Sequence, residues 1–367
     1  MSRFPSPFAI DFVARTLAAA PLTIVDVGCA GGIDPLWRRY EKEQHLRYFG
    51  FEPNPSEFDQ LKSRANTQFF PYAVSDSQRE DDFYAFATFG GLRYRPEAET
   101  DRKMKFDRIR VKVETLSNLR ATGVLPSVDV LKSDTEGHDL SVLHGLGDYF
   151  PELLCVKSET LFAAGPGENA FSDIDQYLRA KSFTLFGFQF NLGYANEPFG
   201  GDAIFVRDVW SIVEADLADE IKAQRIAKLI CICFFLRNME YAYIVARVAA
   251  EAKIISPDDL HKIQQVAGSV AYLPNVLPSW ATALGLSHLF SMLSQVAAGR
   301  RVGNKSVAKD NRFDRYRRLY IPVGIPGVRD RLRQHLETRY NNYIRAKAVR
   351  DAEPDVQRRG ESAPRTN

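Results

Sequence analysis

At 367 residues, with 45% hydrophobic and 26% charged side chains, the chain is long enough for two or three domains with ordinary apolar cores, which excludes a disordered or disulfide-stapled peptide. Its 48 Lys and Arg nearly cancel its 46 Asp and Glu, so the net charge of +2 argues for neither a nucleic-acid nor a membrane partner. From Gly299 onward eighteen Lys and Arg face eight Asp and Glu, which makes the chain an acidic body with a basic tail.

Cys29, Cys155, Cys231 and Cys233 are too few and too irregularly spaced for a disulfide framework, and no CxxC pair suggests zinc, so a reducing cytoplasmic setting is expected. The opening MSRFPSPFAIDFVARTL lacks the apolar core and cleavage site of a secretory signal and reads as a first helix. LTIVDVG, Leu22–Gly28, is a strand, followed by a glycine turn and a helix through Trp37 and Tyr40. RYFGFEP, Arg47–Pro53, is the next strand, with a helix from Ser56 to about Arg64 behind it. Further strands are expected at Thr67–Ser75, Val128–Gly137 and Cys155–Phe162, with the helix DLSVLHGL after the second of these. Ser182–Phe188 and Gly201–Arg207 lie close enough together for an antiparallel edge. Strands alternating with helices predict a mostly parallel α/β sheet with helices on both faces.

After Trp210 strand signals stop for some forty residues and the apolar spacing becomes helical, so residues 211–350 read as an all-helical extension behind a domain of residues 1–210. LICICFFL, Leu229–Leu236, is too short to span a bilayer and reads as a buried helical segment. Ser256 before Pro257 starts a helix reaching about Ala271, because its hydroxyl can accept an orphan amide and proline fits the first position. Residues 351–367 are expected to be disordered. The basic run RFDRYRR, Arg312–Arg318, could hold nucleic acid or an anionic surface. Interspersed acids and the prolines of YIPVGIPGV favour instead a helical appendage packing on the body or on a second subunit, so no nucleic-acid partner is expected and a homo-oligomer is one option.

The chemistry begins at DVGCAGG, Asp26–Gly32, where glycines after a strand let the backbone approach a ligand closely. Gly28, Gly31 and Gly32 depart from the GxGxxG of a dinucleotide site, whereas an adenosylmethionine site needs an acid just before the turn, and Asp26 occupies that place. Glu52 ends the next strand, where a carboxylate can accept from both ribose hydroxyls of an adenosine. Asp134 and Glu136 in LKSDTEGHD sit at the carboxyl end of a further strand, beside the crevice where parallel sheets bind ligands. They can take a proton from a hydroxyl, hold a divalent metal or orient the cofactor, and one of them could merely cap the next helix.

His138 invites a proton-transfer role but reads more readily as a solvated residue at a helix start, and Cys29 as a small filler. The aromatic stretch Phe83–Arg95 reads equally as a cover for an acceptor site, moving about Gly90 and Gly91, or as a buried hairpin; Arg93 and Arg95 would suit an acidic acceptor.

At these elements the sequence resembles the FkbM-type methyltransferases. The matching stretches are VDVGCAGG, FEPNP, VETLSNL and LKSDTEGHDLSVLHGL, followed by CVKSETLF and GGDAIFVR, in order over roughly Leu22–Arg207. The resemblance implies a Rossmann-like methyltransferase fold that binds S-adenosyl-L-methionine and O-methylates a hydroxyl of a sugar, glycan or secondary metabolite. By position, Asp26, Gly28, Gly31, Glu52, Pro53 and Asn54 would carry the cofactor, Ala73 or Val74 would flank the adenine, and Asp134 and Glu136 would be catalytic. Ser133, Asp139 and Ser117 depart from the family's usual aliphatic residue, glutamate and aspartate. Two other classes stay open: a catalytically silent methyltransferase-fold interaction protein, and an NAD-linked oxidoreductase. The latter is weakened because the glycine turn departs from GxGxxG. DTEG also replaces the DPPY-like run of enzymes that methylate nucleic-acid amino groups.

Overall fold

The computed structural model describes residues 7–38, 40, 45–86, 89–92, 107–164, 168–192, 198–271, 319–320 and 328–352. In chain order these form α1 (Pro7–Ala19), β1 (Leu22–Val27), α2 (Pro35–Arg38), β2 (Leu46–Phe51), α3 (Pro55–Phe58), β3 (Thr67–Phe70), β4 (Ala73–Val74), β5 (Arg79–Phe86), β6 (Phe89–Gly91) and β7 (Asp107–Glu114). There follow α4 (Leu116–Ala121), β8 (Val130–Ser133), α5 (Asp139–His144), a 3-10 turn at Gly147–Glu152, β9 (Cys155–Leu161), α6 (Phe171–Ala180), β10 (Phe183–Leu192), β11 (Pro198–Arg207), α7 (Trp210–Val213) and α8 (Asp219–Phe235). Beyond these lie α9 (Met239–Glu251), α10 (Pro257–Ser269), β12 (Val270–Ala271), β13 (Leu319–Tyr320) and α11 (Val328–Ala352).

The described residues divide into two units, one built on Ile10–Leu236 and the other on the residues after Leu236 with the few before Ile10. The first holds a seven-stranded sheet in the order β10-β11-β9-β8-β1-β2-β3. Neighbours from β3 through β9 pair parallel, and β11 runs antiparallel to both β9 and β10. This is the Rossmann-like arrangement, with the antiparallel edge in the place expected for it. A smaller sheet, in the order β4-β7-β5-β6, joins the chain between β3 and α4.

Strand alternation explains the two faces. Val25, Val27, Leu131 and Phe205 point to one side, where they meet Leu116 and Leu119 of α4, Val142 and Leu143 of α5, and Ile174 and Leu178 of α6. Ile24, Leu46 and Tyr48 point to the other side, beside Trp37 of α2. Phe12 of α1 and Trp37 contact Phe234 and Phe235 of α8 edge-on, at centroid separations of 5.9 and 6.1 Å. Leu229 through Phe234 are fully buried in α8, as expected for a helix apolar all round. Lys228, on the same helix, is held by Asp129 at 2.9 Å. No helix among the described residues is long and apolar enough to cross a membrane.

Three expected elements are corrected. Thr67–Ser75 is not one strand: Pro71, which cannot donate to a ladder, separates β3 of the large sheet from β4 of the small one. The helix after Pro53 ends at Phe58 rather than near Arg64, because Arg64 exchanges backbone hydrogen bonds with Thr67. The strand expected to reach Gly137 stops at Ser133, where the chain turns through positive φ at Glu136 (52°) and Gly137 (85°).

In the second unit Ser256 starts α10 as expected, its hydroxyl accepting from the Asp259 amide at 3.1 Å. Glu337 of α11 accepts from Arg247 at 2.7 Å and from the Tyr243 hydroxyl at 2.7 Å, both on α9. Arg93, Arg95, the run Arg312–Arg318 and residues 353–367 lie outside the described residues.

Candidate functional site

The glycine turn after β1 is pinned at both ends. The Gly28 amide donates to the Phe51 carbonyl at 3.0 Å, which ties the turn to β2. With φ at 76°, Gly28 brings its bare Cα so close to the next loop that a Cβ would stand 2.0 Å from the Asp134 carbonyl oxygen. Gly31 also has positive φ, at 75°, but a Cβ there would meet nothing within 4 Å. Gly28 therefore serves the close approach of two chain segments, and Gly31 faces open space. Cys29 is buried filler, as expected, with its sulfur against Gly50.

Asp26 is fully enclosed. Tyr48 donates its hydroxyl to it, and the Lys132 ammonium lies 3.0 Å away. Burial outweighs that ammonium and pushes the carboxyl up to about 6. Glu52, at the carboxyl end of β2, is 4% exposed and accepts from the Asn54 amide at 2.9 Å; burial pushes it up to about 7. Asn54 in turn caps α3, accepting from the Ser56 amide at 3.2 Å, and Pro53 is half-buried between them. Ala73 and Val74 are buried in β4 beside Val113 and Glu114 of β7.

Beyond Ser133 the chain delivers Asp134 and Glu136, and β9 adds Glu159. One carboxylate oxygen from each lies within 4.8 Å of the others, so the trio could grip a proton or a divalent cation. Burial disfavours ionisation of Asp134, but Lys132 at 3.2 Å, a hydrogen bond with Glu159 and the charge of Lys157 win, and its pKa is lowered. Glu159 carries the compensating proton, pushed up to about 9 by burial and by Asp134. Glu136 is raised to about 7 by burial first and then by Asp134, Asp139 and Glu168. Its backbone is left-handed, with φ at 52°, a conformation non-glycine residues adopt at a cost of about 1–2 kcal/mol.

His138 is not solvated: it is 2% exposed, and its Nε2 shares a hydrogen bond of 2.8 Å with the Ser75 hydroxyl. Ser133 and Asp139 turn out to be partners, with the Ser133 hydroxyl donating to Asp139 at 2.5 Å. The aromatic stretch after Phe83 forms the β5–β6 hairpin, in which Phe83 is buried and Gly90 packs against its ring. Gly91 meanwhile lies beside the backbone of Thr135 and Glu136, so the hairpin also walls the site.

Sequence reasoning passed over Lys132, Lys157, Tyr48, Glu159, Asp34 and Asp202. Lys132 stands in register between Asp26 of β1 and Lys157 of β9, and its Nζ donates to the Gly28 carbonyl at 2.7 Å. Lys157 is matched by Asp34 at 2.6 Å and Asp202 at 3.4 Å. A row of buried charges, two neighbouring lysines flanked by aspartates, thus crosses the sheet. Its signal was a lysine third in each of the strands VLKS and CVKSETL, where a solvated residue has no place.

Residues 26–185 match the family model described as the methyltransferase FkbM domain. None of the curated proteins matches the chain. Among solved structures, it is similar to a magnesium protoporphyrin IX methyltransferase from Synechocystis with bound SAM, at 11% identity, TM-score 0.28 and coverage of 55% of this chain and 78% of that one. A 1,6-didemethyltoxoflavin-N1-methyltransferase from Burkholderia thailandensis is 16% identical, with TM-score 0.29 and coverage of 55% and 79%. The StiE O-MT is 10% identical, with TM-score 0.30 and coverage of 59% and 78%.

Proposed function

We propose that this chain, whose residues 26–185 belong to the methyltransferase FkbM domain family, moves a methyl group from S-adenosylmethionine to a hydroxyl of a sugar, glycan or secondary metabolite. The observation that carries the reading is the carboxylate trio Asp134, Glu136 and Glu159, gathered beside the glycine turn. Glu52 suits the ribose hydroxyls, and the open space at Gly31 suits close approach of the methionine end. The cofactor supplies an activated methyl on a sulfonium. The residues of the chain hold the acceptor oxygen in line with that methyl and remove its proton.

A base works best when its pKa lies near the working pH. Glu136, raised to about 7, meets that condition, whereas Asp134 is held ionised by Lys132 and is a weak base. We therefore assign proton acceptance to Glu136, with the Asp134 charge sustaining the proton affinity of its neighbour. Lys132, 3.2 Å from Asp134, offsets part of the trio's charge, and we assign the step to these side chains without a divalent metal.

Calorimetric titration with S-adenosylmethionine, S-adenosylhomocysteine and NAD tests the cofactor. Micromolar binding of the first two, weakened by Glu52→Ala, supports the reading. Binding of NAD alone favours an oxidoreductase. Tight cofactor binding with no transfer to any hydroxylated acceptor favours a silent interaction protein. Glu136→Gln should keep cofactor affinity and abolish transfer, Asp134→Asn should slow it, and dialysis against EDTA should leave it unchanged. Full activity of both variants, or loss in EDTA, would withdraw the base assignment.

A further inference from the structure

Glu159, the third member of the trio, has a partner outside it. The Asn191 side-chain amide donates to Glu159 Oε1 at 3.3 Å. The register of the sheet explains how residues on separate strands meet. Glu159 of β9, Asp202 of β11 and Gln189 of β10 stand opposite one another, and Asn191 follows Gln189 by two residues, so all four point to one face. It is the face of Lys132 and Lys157, away from α4, α5 and α6. To reach β9, Asn191 has to cross β11, two strand spacings of about 5 Å each. The residue opposite it on β11 is Gly200, which puts no side chain in that path, and a Cβ there would stand 2.2 Å from the Thr160 carbonyl oxygen.

A hydrogen bond joins Glu159 to Asp134, and two carboxyl groups share one only when a proton lies between them. The surroundings decide which group keeps it. Asp134 has the Lys132 ammonium at 3.2 Å, whereas Glu159 has the uncharged Asn191 amide and faces the acids Asp134, Glu136 and Asp202. The Lys157 ammonium, two residues along β9, is held by Asp34 and Asp202. Glu159 therefore keeps the proton, and its two oxygens become unlike: one is a carbonyl that accepts, the other a hydroxyl that donates.

We propose that Asn191 is a positioning residue of the trio: by holding Oε1 of Glu159 as the carbonyl, it commits the hydroxyl on Oε2 to Asp134 and leaves Glu136 free to take a proton. The inference deepens the methyl-transfer reading, on which its meaning for catalysis rests. Without the amide, the Glu159 hydroxyl can turn to Glu136 as well as to Asp134, because oxygens of all three lie within 4.8 Å of one another. A carboxylate that accepts a hydrogen bond gives up proton affinity. Glu136 is pushed up to about 7 by burial and by Asp134, Asp139 and Glu168, against the pull of Lys132; accepting that bond would bring it down and make it a poorer base. Removing an uncharged amide leaves all of those charges in place, so the fall reports the hydroxyl alone.

The test is carboxyl-carbon NMR of the full chain, labelled with carbon-13 at glutamate Cδ and titrated from about pH 5 to about pH 9, with the Glu136 signal identified by its loss in Glu136→Gln. In Asn191→Ala, and in Asn191→Leu, which keeps the bulk without the N–H, the Glu136 midpoint should drop by about half a pH unit or more. That is a loss of proton affinity of roughly threefold or more, the scale of one hydrogen bond. In a Glu159→Ala background, which has no hydroxyl to redirect, adding Asn191→Ala should move the midpoint no further. A midpoint that stays or rises in either Asn191 variant, or that drops equally without Glu159, overturns the proposal. A merely structural amide would lower the melting temperature and leave the midpoint in place. S-adenosylhomocysteine affinity, measured on the same samples, keeps the two readings apart: its absence in the wild-type protein sinks the methyl-transfer reading, while the Glu136 midpoint still decides what Asn191 does to the trio.

Discussion

Replacing Lys132 by Met keeps the length of the side chain and removes the one ammonium that touches Asp26, Asp134 and the Gly28 carbonyl, at 3.0, 3.2 and 2.7 Å. Asp26 would keep the Tyr48 hydroxyl as a partner but stay fully buried. Breaking a buried ion pair from one side costs about 3–5 kcal/mol. Protonation sets a ceiling on that loss: neutralising an aspartate of ordinary pKa at pH 7 costs about 4 kcal/mol. We expect a loss of about 3–4 kcal/mol in urea unfolding at pH 7. The pH dependence is diagnostic. In the wild-type protein Asp26 has a pKa of about 6, so above pH 6 it is ionised folded and unfolded alike and contributes no slope. In the variant it stays protonated when folded and ionises on unfolding, so stability falls by about 1.4 kcal/mol per pH unit above pH 6 relative to wild type. Adding Asp26→Asn should recover most of the loss and erase the slope. A loss under about 1 kcal/mol at pH 7, or a parallel pH profile, would refute the claim that Lys132 holds the buried charge.

Glu52 is raised to about 7 by burial, and ribose hydroxyls would donate to its ionised form, so S-adenosylhomocysteine affinity should fall by up to about tenfold per unit as pH drops below 7. In the free protein the same shift lowers stability as pH rises from 4.5 to 7, because the unfolded chain releases the proton first; calorimetry and urea unfolding between pH 5 and 8 check both, and flat profiles would contradict them. Gly28→Ala places a Cβ against the Asp134 carbonyl at left-handed φ and should cost about 3 kcal/mol or more, read as a fall in urea midpoint. In the second unit, Glu337→Ala releases Arg247 and Tyr243 from α11; with Arg247 29% and Glu337 37% exposed, screening limits the cost to about 1 kcal/mol, seen as faster amide exchange in α11.

Whatever was local in the chain could be read from it. The six residues Leu22–Val27 are all buried, so their apolar run names a central strand, and the acids that end β1, β2 and β8 fall at the crevice because strand ends are marked by glycine and proline. Pro71 was visible too, but its effect was not: that the chain leaves one sheet for another at that residue depends on where β7 returns, some forty positions later. The charged row was hidden for the same reason. Asp26, Lys132 and Lys157 become neighbours only because β8 inserts between β1 and β9, a pairing that no window of sequence contains.

His138 was misjudged because a histidine after a glycine at a helix start resembles a surface residue until Ser75, sixty-three positions away, is brought against it. Two of the three departures from the pattern that the sequence resembles, Ser133 and Asp139, make the argument from the opposite direction. Taken singly, Ser133 in an apolar strand and Asp139 in place of a longer acid look like losses. Together they are one buried hydrogen bond, in which a serine hydroxyl reaches a carboxylate that burial has pushed up to about 6. A polar residue inside a strand is destabilising unless a partner is supplied, and the partner here lies only six residues away, on the first turn of α5. The exchange of an aliphatic residue for serine and of glutamate for aspartate is therefore a single compensated change, which keeps the loop carrying Asp134 and Glu136 anchored at both ends.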